Sequence, residues 1–281
     1  MRGVVPFAAC LFSVAVLVTA SVCTHTAFAA TRGDGACHSR AVAELQRHSP
    51  HGYAIYQAMH DKNLFLTWVT CDDIQTELST AVHESVHILT EEKDAYPLVD
   101  GGSIPRPHEV SHFFPPREIA GGLNADDAYV QNYLGPNGAS SKSDFMYLLD
   151  ELNAYSHDLE TAITLVPLQR HDLQIDRRDG LAALMSFVMR YVDKAEKTQP
   201  ATWRGLHDPE PRTTIRVLWS QAEKTLAASC GLPEFGMHDR DYVAYICDKK
   251  NADALGDLLG HAPACPAACL APDTASSTPA H

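Results

Sequence analysis

The chain has 281 residues, a net charge of −13, 45% hydrophobic residues and 20% charged residues. That is ordinary globular composition, with enough length for a sizeable core in one large domain or two small ones. It has no basic stripe or Lys/Arg cluster, which argues against nucleic acid as a partner; the acidic balance serves solubility and names no substrate.

The N-terminal thirty residues stand apart. Arg2 gives a short positive start, an apolar run extends from Val4 to Ala20, and Ala27-Phe28-Ala29 ends it with small residues. The pattern predicts a secretory signal peptide over residues 1–29, cut after Ala29. The expected location is therefore exported, periplasmic or secreted. No other segment approaches the ~20 apolar residues of a membrane span, so no stable span is expected once the signal is removed. Cys10 and Cys23 leave with it, and Cys37, Cys71, Cys230, Cys247, Cys265 and Cys269 remain. An even count in an exported chain predicts three disulfides. Sequence proximity suggests Cys37–Cys71, Cys230–Cys247 and Cys265–Cys269.

Residues 37–48 read as a short helix. The aromatic and β-branched stretches 53–59 and 64–70, separated by Asp61-Lys62-Asn63, read as a β-hairpin. Cys37 and Cys71 bracket this region as a retained part of the fold rather than a propeptide. A helix is predicted over 73–93, with Ile74, Leu78, Ala81, Val82, Val86 and Leu89 at helical spacing and acidic residues at its start. Residues 94–123 hold five prolines and several glycines and read as irregular or extended; 95–106 is the one stretch there that suits an edge strand able to pair with a peptide. A second long helix is predicted over 143–165, with Phe145, Leu148, Leu149, Leu152, Leu159 and Ile163 on its core face. Further helices fit 178–197, 211–229 and 239–259, and 262–281 reads as a loose Ala/Pro-rich tail.

The chemistry lies in His83-Glu84-Ser85-Val86-His87. Positions i and i+4 of a helix share one face, so two imidazoles there can reach one tetrahedral Zn²⁺. The glutamate between them is placed to take a proton from a metal-bound water whose pKa falls to about 7. His108-Glu109-Val110-Ser111-His112 has the same spacing. Pro105, Pro107, Pro115 and Pro116 exclude a helix of useful length there, so its histidines need not share a face. That segment reads as a surface loop.

A catalytic zinc commonly takes three protein ligands plus water. The first candidate for the third is Glu151, in Asp150-Glu151-Leu152-Asn153-Ala154-Tyr155 on the second long helix; His157, Asp150 and His112 are alternatives. Asp150 or Asn153 could then orient an imidazole from behind.

Over residues 73–160, through HESVH and DELNAY, the chain resembles the HExxH zinc metallopeptidases (zincins), and within them the gluzincin class, whose third ligand is a glutamate on a downstream helix. Two departures stand out. Tyr155 occupies the position four after Glu151, where the class often has an acidic residue, and the gap from His87 to Glu151 is long. The resemblance implies an α+β, mainly α-helical, zincin-like fold with a small N-terminal sheet and an active-site helix, in a single catalytic domain over 30–261. It implies Zn²⁺ held by His83, His87 and Glu151, with Glu84 as general base. It further implies a hydrogen-bond donor for the oxyanion: Tyr155 first, then His112, His157 and Tyr147. The expected function is zinc-dependent hydrolysis of a peptide or amide bond in a peptide or protein substrate. The alternatives are a non-catalytic exported metal-binding or interaction protein of the same shape, and a helical binding module without metal.

Overall fold

A computed structural model describes residues 32–108, 110, 112–170 and 176–270. The expected signal peptide lies outside the described residues. The architecture is mainly helical with one small antiparallel sheet of two strands. In chain order the helices are α1 (Arg32–His48), α2 (Pro50–Ala58), α3 (Lys62–Leu66), α4 (Ile74–Lys93), α5 (Ala128–Tyr133), α6 (Phe145–Thr164), α7 (Arg177–Thr198), α8 (Pro200–Leu206), α9 (Pro209–Ser229), α10 (Arg240–Cys247) and α11 (Asp253–Leu259). The strands β1 (Ala95–Pro97) and β2 (Ser103–Pro105) follow α4.

Helix α6 is the axis of the molecule. It packs on α4 along one side and on α7 and α9 along the other. The larger apolar core surrounds it, with Phe145, Leu149, Phe187, Tyr191, Trp219 and Leu255 fully buried or nearly so. A smaller core lies between α4 and the N-terminal helices, built on Leu45, Phe65, Leu78, Val82 and Leu89. The apolar face of α4 lies in this smaller core, its long side packs on α6, and His83, Glu84 and His87 line a cleft.

The start of α4 is tied down by its own acidic residues. Asp73 accepts from the Thr76 amide at the N-cap. The Glu77 carboxylate accepts from the amides of Cys71 (2.6 Å), Asp72 (2.9 Å) and Asp73 (3.2 Å) and from the Thr70 hydroxyl. These bonds overcome burial, which acts the other way, and hold Glu77 below the usual carboxylate range. They satisfy donors that a helix start leaves without partners.

Residues 53–58 and 64–66 are helical, in α2 and α3, and 59 and 67–70 follow them as turn and coil, so the region is not a hairpin. Pro50 opens α2 at the helix position that tolerates proline, and the Asp61 side chain caps α3 through the Asn63 amide at 2.9 Å. Burial of Ile55, Met59, Phe65 and Val69 against α4 then outweighs the β-preference of their types. The small sheet falls instead at 95–105, the stretch read as a possible edge strand. Tyr96 pairs with Ile104, and Gly101 and Gly102, both at positive φ, make the turn.

The predicted helix over 239–259 is interrupted: Asp248 caps a 3₁₀ turn between α10 and α11 by accepting from Lys250 N. Of the expected disulfides, Cys37–Cys71 forms, but the C-terminal four pair as Cys230–Cys269 and Cys247–Cys265. Cys265 and Cys269 flank a short turn that reaches back to the ends of α10 and α9, so neighbours in sequence meet different partners. Residues 262–270 are therefore pinned rather than loose; 271–281 lie outside the described residues. No helix among the described residues is long and apolar enough to cross a membrane.

Candidate metal centre

Helix α4 presents His83 and His87 from consecutive turns, and α6 presents Glu151 opposite them. His83 Nε2 and His87 Nε2 are 3.2 Å apart; Glu151 Oε2 lies 3.7 Å from the first and 3.4 Å from the second. Ligand atoms about 2.1 Å from a common tetrahedral ion stand about 3.4 Å from one another. The three atoms therefore form nearly the triangular face that such an ion requires. The three residues make the one group of this kind found among the described residues, and they could hold a metal ion.

The surroundings favour a cation. Asp150 Oδ2 accepts from His87 Nδ1 at 2.6 Å, so the ring's other nitrogen faces Glu151 and His83. Asp158, two turns beyond Glu151, lies behind His83, with Oδ2 3.8 Å from Nδ1. Three carboxylates thus converge on two imidazoles, while Arg177 holds Asp158 at 2.9 Å. Burial favours the neutral form of His87, but the hydrogen bonds it donates to Asp150 and Glu151 prevail and push its pKa up to about 10. Burial likewise acts to raise Glu151, yet the bonds from His83 and His87 bring it down to about 2. The same convergence of carboxylates attracts a cation, and a metal ion binding here would release the proton held on His87.

The face opens into a cleft of about 380 Å³ lined by His83, Glu84, His87, Glu151 and the segment Asn132, Tyr133, Asn137, Gly138 and Ala139. Glu84 is half-buried on this wall, beside the ligand triangle. Tyr155 is not part of the lining. Its ring packs edge-on against His83, with centroids 4.7 Å apart, and its hydroxyl meets that of Tyr133 at 2.7 Å. Tyr133 is the tyrosine in the cleft. Burial, then the negative charge of Glu151, pushes its phenol well above the usual range, so it stays a neutral donor.

The other candidates are placed elsewhere. His157 is fully buried beside His51, its Nε2 3.0 Å from the Pro97 carbonyl. Asn153 donates to that same carbonyl and accepts from Gln221, so Asp150 alone is the group behind His87. Tyr147 lies under the Arg106 guanidinium. His108 faces Asp94 at 3.2 Å, and His112 packs by Phe113 and Gly205; neither lines the cleft. The second HExxH segment forms no helix at either histidine.

Asp158 and the Tyr133 segment escaped the sequence reading. For Asp158 a signal existed: residues 151, 155 and 158 are spaced i, i+4, i+7 and share one helix face. For Tyr133 none did, because α5 reaches the cleft only through tertiary contacts, among them Ser141 Oγ donating to the Tyr133 carbonyl. No family model matches the chain, and no curated protein or solved structure matches it either.

Proposed function

We propose that this chain is an exported zinc-dependent hydrolase that cleaves peptide or amide bonds, with His83, His87 and Glu151 as metal ligands and Glu84 as general base. The observation that carries the reading is the near-tetrahedral triangle of two imidazole nitrogens and one carboxylate oxygen, with a second glutamate beside it on an open cleft. Two nitrogens and one oxygen suit zinc, and a three-ligand set leaves a position for water. The HESVH helix facing a glutamate on a second helix also keeps the zincin resemblance. Three disulfides support an oxidising compartment.

When bound, zinc supplies a Lewis acid for the scissile carbonyl and lowers the pKa of a water in the cleft. Glu84 takes the proton from that water and delivers it to the leaving amine. Tyr133, rather than Tyr155, donates a hydrogen bond to the developing oxyanion; Tyr155 holds the Tyr133 hydroxyl in place. Asp150 keeps the His87 ring in the tautomer that offers Nε2.

The test is Glu84→Gln. The variant is expected to bind zinc like the parent and to lose on the order of 10²–10⁴-fold in hydrolysis of a peptide library, the span of a general base. Full activity in the variant would sink the mechanism. A parent that binds zinc yet cleaves nothing would turn the reading to a non-catalytic metal-binding protein.

A further inference from the structure

His83 and His87 are not held alike. His87 Nδ1 is clamped by Asp150 at 2.6 Å, whereas His83 Nδ1 is buried without a hydrogen bond. The carboxylate behind it is Asp158, 3.8 Å away and almost fully buried. Asp158 Oδ1 is also a buried oxygen without a partner. An imidazole nitrogen without a hydrogen bond thus stands 3.8 Å from a carboxylate whose other oxygen is also unpaired. Buried polar groups in native proteins are nearly always paired, so such a juxtaposition calls for an explanation.

We infer that Asp158, locked in place by Arg177, is the positioning residue of His83 and sets the affinity of the site for metal. This rests on the reading of His83 as a ligand. An imidazole that gives Nε2 to a metal carries its proton on Nδ1, and that proton needs an acceptor. Asp158 is the acceptor at hand. An approach of about 1 Å would bring the two atoms from 3.8 Å to hydrogen-bond distance. Asp158 itself cannot drift, because Arg177 Nη1 donates to its Oδ2 at 2.9 Å. The other arm of the same guanidinium donates to the Thr76 carbonyl at 3.0 Å and the Thr80 hydroxyl at 2.9 Å, both on α4 within two turns of His83. One arginine from α7 therefore fixes the carboxylate of α6 relative to the helix that carries the histidines. A simple salt bridge would account for Asp158 Oδ2 but not for the unpaired His83 Nδ1 3.8 Å from it.

The experiment measures zinc affinity by competition with a chromophoric chelator for the full chain, Asp158→Asn and Arg177→Lys. It also records melting temperature with and without zinc, and the His83 Nδ1 proton by NMR in the zinc-loaded protein. Asp158→Asn is expected to weaken zinc binding about 10- to 100-fold, the usual cost of removing such a group. Its zinc-free melting should also fall, because Arg177 loses its buried carboxylate, but melting with zinc should fall further, and the downfield His83 Nδ1 proton expected in the zinc-loaded parent should vanish. Arg177→Lys keeps the charge but loses the bracing of α4, so a several-fold weakening is expected; it carries the test should Asp158→Asn fail to fold. Parental zinc affinity in the folded variants, or equal loss of melting temperature with and without zinc, would mean a structural salt bridge and overturn the inference. A parent that binds no zinc would overturn the metal reading beneath it, a different and separable outcome.

Discussion

His87 Nδ1 lies 2.6 Å from the carboxylate of Asp150, the residue directly before Glu151, the proposed third ligand. Two adjacent residues of α6 therefore grip one histidine of α4 from both nitrogens, Asp150 behind the ring and Glu151 before it. The side chains of neighbouring helical residues diverge by about 100°, so this grip needs the ring to stand between them, edge toward α6. The interface of α4 with α6 is thus at once the packing seam of the fold and the scaffold of the site.

Asp150→Ala is expected to lower zinc affinity about 10- to 100-fold while leaving the three ligands intact. Chelator competition checks it. The same substitution removes the group that holds a proton on His87, so the imidazole pKa read by NMR in zinc-free protein should fall from its raised value near 10. An unchanged affinity would show that the ring is oriented by packing alone.

Gly180→Ala tests how Tyr155 is seated. A Cβ at Gly180 would overlap the Tyr155 ring, which is rigid and wedged between α7 and His83. Overpacking of this kind costs about 1–3 kcal/mol. Urea unfolding should show that loss, and adding Tyr155→Leu should recover part of it. Gly180→Ala should also weaken zinc binding, because the displaced ring presses on His83.

Much of this seam is legible in the sequence. The apolar spacing of 74–89 and 145–163 is unbroken, and Asp73 and Asp144 stand as caps where each helix begins. That is why His83, Glu84, His87 and Glu151 could be placed on facing helices. Residues 53–70 misled because their aromatic and β-branched types suit strands, while Pro50, Asp61 and the apolar face of α4 make them helices. Cys265 and Cys269 misled because proximity in sequence carries no information about which helix ends the turn between them reaches. Tyr133 is positioned by α5 and the loop after it, whose location no local pattern encodes.

Stability should fall in acid through the buried pair His51 and His157. Burial pushes His51 down to about 4, and burial together with the charge of His51 pushes His157 down to about 3. Both are lowered in the fold, so the unfolded chain binds protons first. Their contribution to stability is full above the ordinary histidine value of 6.5 and declines as pH falls from there toward 4, by on the order of 3 kcal/mol for each group. Denaturant titrations at pH 7.5 and 4.5, with chelator present, should show the loss, and His51→Gln should remove about half of it. A flat profile in the parent would contradict the burial argument.

The C-terminal staple predicts that Cys247→Ser with Cys265→Ser lowers stability by about 2–4 kcal/mol. Non-reducing peptide mapping of the parent should recover Cys230 linked to Cys269 and Cys247 linked to Cys265. Recovery of Cys230–Cys247 would contradict the arrangement of α9, α10 and the final turn.

The most direct test is zinc-edge X-ray absorption on the zinc-loaded parent and Glu151→Ala. Convergence of α4 and α6 on one ion predicts one equivalent of zinc with two imidazole nitrogens and light oxygen scatterers at about 2.0–2.2 Å. The alanine variant should bind far more weakly, with a carboxylate missing from the shell. Sulfur scatterers, a single imidazole, or a spectrum unaltered by Glu151→Ala would contradict it.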